Sequence, residues 1–337
     1  MSIMMHLSLI PGVDKLINSN QELRDKITKL VFPQKVDFKD FDWSKTTILV
    51  AGDPTTKVWV ENTVKEISVF LSKQPNNGKP SIVYLGGNNG KYKPARWYQI
   101  LRKINILRKL ETQFATNICY VNGYQLTPFI YGFESEIVHQ EVEKQVPDSV
   151  FNSVKLETKS TNIHASMENA YTEGYLDLDN VKNLVIVAGK EYATRCIGTL
   201  RATLKSHGFN YTDYNIVAWP YTKNLSVEKS VELRELMGIS YKLPKEENNP
   251  LIVDENNWYK SALSLYDVAI ETDSLIKYAN KGHVELTDDQ KELADYISKK
   301  LTKKNKILET VKVTMSELKK KVANPIIQKI MGDKQKG

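Results

Sequence analysis

Three short apolar runs, each closed by glycine, decide what this chain can fold into. Thr46-Thr47-Ile48-Leu49-Val50-Ala51 stops at Gly52-Asp53-Pro54, and Ser81-Ile82-Val83-Tyr84-Leu85 stops at Gly86-Gly87-Asn88-Asn89-Gly90. Lys182-Asn183-Leu184-Val185-Ile186-Val187-Ala188 stops at Gly189-Lys190. A run that is apolar at successive positions keeps no polar face for water. Each therefore predicts a strand buried on both sides, the habit of parallel strands. Between the first two runs, Val60, Val64, Ile67 and Leu71 recur at helical spacing. Strand, helix and strand in that order make the unit of a parallel sheet. The expected fold is α/β, a Rossmann-like three-layer sandwich with a mostly parallel sheet and helical additions at both ends.

Further elements follow from the same pattern. Helices are predicted over residues 97–110, 133–144, 165–176 and 192–207, and shorter strands over 151–156 and 214–219. Asn18-Ser19-Asn20 offers an N-cap for a helix over 21–30. A helix over 263–280 ends at Lys281-Gly282. Thr287-Asp288-Asp289-Gln290 forms a capping box, with Leu286 as its staple residue. A last amphipathic helix is predicted over 307–318. With 337 residues the chain suits one large domain or two modest ones. The division expected is an N-terminal helical extension (1–41), an α/β domain (42–282, with an insertion around 91–131) and a basic helical extension (283–337).

Composition narrows the function. No apolar run approaches the ~20 residues that cross a bilayer, so integral membrane association is not expected. Two cysteines, Cys119 and Cys196, build neither a disulfide framework nor a four-thiolate zinc site. With no export signal, they point to a reducing, cytoplasmic setting. The formal charge of +7 lies largely in the tail, where residues 288–337 hold 13 Lys against 7 acidic residues. That reads as a solvated lysine-rich helix face rather than a nucleic-acid stripe. Gly-x-Gly-x-x-Gly, the P-loop and the Gly-x-Ser-x-Gly elbow are all absent from the sequence, and no two histidines stand at a metal-ligand spacing.

Open parallel sheets bind ligands beyond the carboxyl ends of their strands. Four such ends carry candidate ligand-binding residues: Gly52 and Asp53; Gly86, Gly87 and Asn88; Glu157 and Ser160, leading to Glu168 and Asn169; and Gly189 with Arg195. Glycines let backbone approach a ligand, and helix N-termini offer N–H groups to anions. Arg195 is expected to neutralise an anionic group or to form an internal salt bridge. Its removal, on the first reading, weakens binding and leaves stability alone. His164 and Glu168 are the catalytic candidates, each set against a plain surface role. Cys196 reads as packing.

These pieces, in this order, resemble the YdcF-like family, the domain of unknown function 218. The matching residues are Leu49-Val50-Ala51-Gly52, Leu85-Gly86-Gly87, Glu134-Ser135-Glu136-Ile137, Glu157 with Ser160-Thr161-Asn162, Ser166-Met167-Glu168-Asn169-Ala170, and residues 187–195 ending in Arg195. The resemblance spans residues 46–282. It implies a Rossmann-like domain with a ligand crevice, adds Glu136 to the ligand-binding set, and suggests S-adenosylmethionine or another nucleotide-like ligand as the cofactor class. The chain departs from the family pattern at Leu85 (family Ser), at Tyr192 (family His) and in the insertion. A small molecule, nucleotide-like or phosphorylated, is the expected partner. The alternative expectation is a catalytically inactive scaffold that meets a protein partner through the C-terminal helices.

Overall fold

A computed structural model of the chain describes residues 17–51, 57–86, 120–121, 124–125, 134–160, 162–222, 224–225, 251–260 and 262–302. Its centre is one sheet of five strands: β1 (Thr46–Val50), β2 (Ser81–Tyr84), β3 (Ser153–Leu156), β4 (Asn183–Val187) and β5 (Asn215–Ala218). Their order is β3-β2-β1-β4-β5, and every neighbouring pair is parallel. The apolar runs act as expected. All five residues of β1 are buried.

Alternation across the sheet sorts its side chains into two cores. On one face Leu49, Val83, Leu184 and Ile186 meet Met167 of α4 (Ile163–Thr172) and Leu200 of α5 (Lys190–Ser206). On the other, Ile48, Val50, Ile82 and Val187 meet Val64 of α2 (Lys57–Ser72) and Val142 of α3 (Glu134–Glu143). Each large side chain so buried contributes roughly 1.5–3 kcal/mol. With helices on both faces, this is the three-layer α/β sandwich that the pattern predicted.

A third core lies outside α5. It is built from α1 (Gln21–Val31), α6 (Ala262–Ala279), α7 (Asp288–Thr302) and the turn Trp258–Lys260 that precedes α6, through Leu23, Leu30, Trp258, Leu265, Leu275 and Ile297. The indole N–H of Trp258 donates to Thr28 Oγ1 at 3.0 Å. The two terminal additions thus pack on each other, and α1 and α6 both pack on α5. Their ends follow the sequence signals. Asn20 caps α1 through Leu23 N–H, Gly282 stops α6 with φ of 74°, and Thr287 and Gln290 exchange the reciprocal bonds of a capping box. Helix α4 starts earlier than predicted because Asn162 caps it through Ala165 N–H. It also stops earlier, since Gly174 takes φ of 69° and Tyr175 N–H bonds back to Ala170. The helices predicted over 97–110 and 307–318 lie outside the described residues. Among those described, no helix is long and apolar enough to cross a membrane.

One glycine records how tightly the outer layer sits. A Cβ at Gly198, mid-way along α5, would lie 2.5 Å from Val284 Cγ1 and 3.2 Å from the Glu285 carbonyl oxygen. Glu285 N–H also donates to the Gly198 carbonyl at 2.8 Å. Alanine is favoured over glycine inside a helix by roughly 0.5–1 kcal/mol, so packing and propensity oppose each other here. We expect Gly198→Ala to lose about 1–3 kcal/mol of stability in urea unfolding, the range for overpacking. A stabilised variant would contradict the close approach.

Candidate functional site

The strand order reverses between β1 and β4. Connections leave this point toward opposite faces of the sheet, and a crevice opens between them. A cleft of about 330 Å³ occupies it. Ala51, Leu85 and Gly189 form its floor at the ends of β1, β2 and β4, with Gly86 beside them. Ser160, Asn162 and Ser166 come from the start of α4, and Glu191, Tyr192 and Arg195 from the first turns of α5. Glu134 opens α3, Tyr221 follows β5, and Glu271 reaches in from α6.

Each wall has a local cause. Gly86 takes φ of 132°, and a Cβ there would lie 2.8 Å from Glu134 Cβ, so only glycine fits beneath α3. Ser135 N–H donates to the Gly86 carbonyl at 2.8 Å and fixes the start of that helix. At the other wall, Lys190 N–H donates to the Tyr221 carbonyl at 2.9 Å. The Glu191 carboxylate folds back over Gly189, with Oε1 2.9 Å from where a Cβ would stand. Glu191 is only 2 % exposed.

Glu157 holds the floor together from below. Its carboxylate accepts from the N–H groups of Gly86 (3.3 Å), Lys159 (2.7 Å) and Ser160 (2.8 Å). It also accepts from Ser160 Oγ and from Asn169 Nδ2, the latter at 2.9 Å. Ser166 Oγ lies 2.7 Å from Ser160 Oγ. One buried carboxylate therefore ties the end of β2 to the loop after β3 and to α4. Glu157 and Asn169 support the cleft and do not line it.

Arg195 is held on every side. Its Nε and one terminal nitrogen donate to the two oxygens of Glu271 at 2.7 and 3.0 Å. Its guanidinium lies 4.4 Å from the Tyr192 ring centre and 5.7 Å from that of Tyr278. Burial works against the charge, yet Tyr192 and Glu271 more than offset it and raise the pKa above its ordinary value. Burial pushes the Tyr192 phenol well above its ordinary value and the Cys196 thiol up to about 12. Neither is a nucleophile or a base near neutral pH, and Cys196 is packing, as expected.

The candidates named from sequence thus divide. Gly86, Ser160, Gly189 and Arg195 line the cleft. Glu136, His164 and Glu168 are not among its lining residues. Glu168 bonds to His207 Nε2 at 2.7 Å on the outside of α4. His164 lies 4.6 Å, ring to ring, from His283, and its Nδ1 is buried with no hydrogen-bond partner. Gly52, Asp53, Gly87 and Asn88 lie outside the described residues. Helix phase explains two of these outcomes. Successive residues point about 100° apart, so Glu168 turns outward where Asn169 turns toward Glu157. Glu136, two residues after Glu134, points about 200° away from it. Sequence reasoning missed Glu134, Glu191 and Glu271 as lining residues. The first two stood inside the quoted motifs, while Glu271 is unmarked in a helix far along the chain. Among the described residues, no group of three or more His, Cys, Asp or Glu could hold a metal ion.

No protein-family model matches this chain, and no curated protein matches it.

Of the two roles expected for Arg195, the internal salt bridge is the one present, with Glu271 as its partner. Both side chains are about 15 % exposed, at 16 % and 15 %. Removing one charge strands the other in a poorly solvated place. We expect Arg195→Ala to cost on the order of 2 kcal/mol of stability, below the range for fully buried pairs. The Arg195→Met, Glu271→Leu double variant should recover most of that loss. Chemical denaturation of the four proteins checks this, and an unchanged Arg195→Ala would show the pair to be idle.

Proposed function

We propose that this is a YdcF-like small-molecule binding protein, with a nucleotide-like ligand such as S-adenosylmethionine seated in the cleft at the β1–β4 reversal. The observation that carries the reading is convergence: seven stretches far apart in sequence, from Ala51 to Glu271, meet at one hollow on the carboxyl rim of the sheet. The hydroxyl oxygens of Ser160 and Ser166, whose protons are directed to Glu157 and within that cluster, can accept from ribose or other hydroxyl groups, and the faces of Tyr192 and Tyr221 suit a flat ring. The order of the motifs supports the family, and the site of the cleft supports the ligand class. The free thiol of Cys196 fits a cytoplasmic protein.

One observation favours the inactive-scaffold alternative. Where the family places a histidine, this chain has the half-buried Tyr192, whose phenol is held well above its ordinary pKa by desolvation. Proton transfer in the cleft would then fall to Glu134 or Glu191. Ligand-induced thermal shift separates the two readings. A ligand at a hundred times its Kd stabilises by about 2.7 kcal/mol. We expect a saturable rise in Tm with S-adenosylmethionine or an adenine nucleotide. A flat response across that panel would favour the scaffold.

A further inference from the structure

The fold brings together two histidines that no sequence spacing relates. His164 stands in the first turn of α4, whose start lines the cleft, and His283 follows Gly282, where α6 stops. Their rings meet with centres 4.6 Å apart and planes inclined by 48°. Both residues are half-buried. The other described histidines have carboxylates for partners: His139 meets Asp148 at 2.9 Å, and His207 meets Glu168 at 2.7 Å. His164 Nδ1 is buried and has no hydrogen-bond partner among the described residues. Buried nitrogens nearly always have one, so this nitrogen calls for an explanation, and a bound ion supplies one.

Both imidazoles are carried on fixed backbone. Asn162 caps α4 through Ala165 N–H at 3.0 Å, and its carbonyl accepts from Ser166 N–H at 2.9 Å. His283 N–H donates to the Tyr278 carbonyl at 3.0 Å, and Glu285 N–H donates to the Gly198 carbonyl at 2.8 Å. Rigid supports of this kind suit a binding site. The spacing also fits an ion. A metal about 2.0–2.1 Å from an imidazole nitrogen lies about 3.2 Å from the ring centre, so two centres 4.6 Å apart subtend about 90° at it. That angle separates adjacent ligands in square-planar and tetragonal sites, the habit of Cu(II) and Ni(II). The Arg195 guanidinium, 5.7 Å from the Tyr278 ring that His283 also meets, is already neutralised by Glu271.

We propose that His164 and His283 form a two-histidine site for a divalent transition-metal ion of the Ni(II) or Cu(II) type. Among the described residues no third His, Cys, Asp or Glu joins them, so water fills the other positions. Bound there, the ion clips the start of α4 to the end of α6. Asn162, Ile163 and Ser166 from the first element and Glu271 from the second line the cleft, so the clip ties two of its walls together. The inference holds whichever ligand the cleft takes.

Isothermal titration calorimetry of the full chain, free of any histidine tag and stripped with a chelator that is then removed, tests it with Ni(II) and Mg(II) as probes. One Ni(II) should bind per chain and raise the Tm, while Mg(II), which takes oxygen ligands, should do neither. His164→Gln and His283→Gln should each weaken Ni(II) at least tenfold, and His207→Gln should leave it unchanged. Lowering the pH from about 7.5 to about 5.5 should weaken binding, because protons compete for the imidazoles. Should one of the two site variants lose its native circular dichroism, the other decides together with the pH series. Absence of Ni(II) binding, binding that survives both variants, or a loss confined to one of two folded variants overturns the proposal.

Discussion

The reversal of strand order between β1 and β4 is the constraint on which the site depends. Strand β1 pairs with β2 on one side and β4 on the other. The helix that follows β1 goes to one face and the helix that follows β4 to the other, so neither covers the rim between them. Backbone at this rim has to turn within one or two residues, and the glycines at 86 and 189 stand there. A ligand site needs a hollow with converging groups, and the topology leaves one in this place before any side chain is chosen.

Two polar clusters then fix its shape. Glu157 gathers five donors beneath the floor and so ties the β2 end to the loop after β3 and to Asn169 of α4. The Arg195–Glu271 pair does the same for α5 and α6. The second cluster makes the outer helical layer part of the site. Helix α6 is packed against α1, and α1 against α7, so the terminal additions brace one wall of the cleft from behind.

The sheet was legible because its signal is dense. Buried parallel strands announce themselves as unbroken apolar runs, and Ile48 through Val50 or Leu184 through Val187 leave little else to be. Helix caps at Asn20 and Thr287 were legible for a similar reason, since the chemistry of a cap is local. The cleft's chemistry was less so. Glu168 and Asn169 are adjacent in sequence and therefore cannot share a helix face. Arg195 fits an anion receiver or half of a salt bridge equally well in sequence, and only the fold brings Glu271, 76 residues further on, to it. Nothing in the pattern around Glu271 sets it apart from any solvated glutamate on a helix. Residue type could be read from the chain, while partner identity had to come from the fold.

The central claim is that the hollow at the β1–β4 reversal is where this protein meets its ligand. Alanine methyl NMR during a titration with S-adenosylmethionine addresses it most directly. Ala51 lines the cleft, whereas Ala294 sits in the outer helical core. The methyl of Ala51 should shift saturably while that of Ala294 stays in place. An unmoved Ala51 throughout the titration, or shifts centred on Ala294, would contradict the claim.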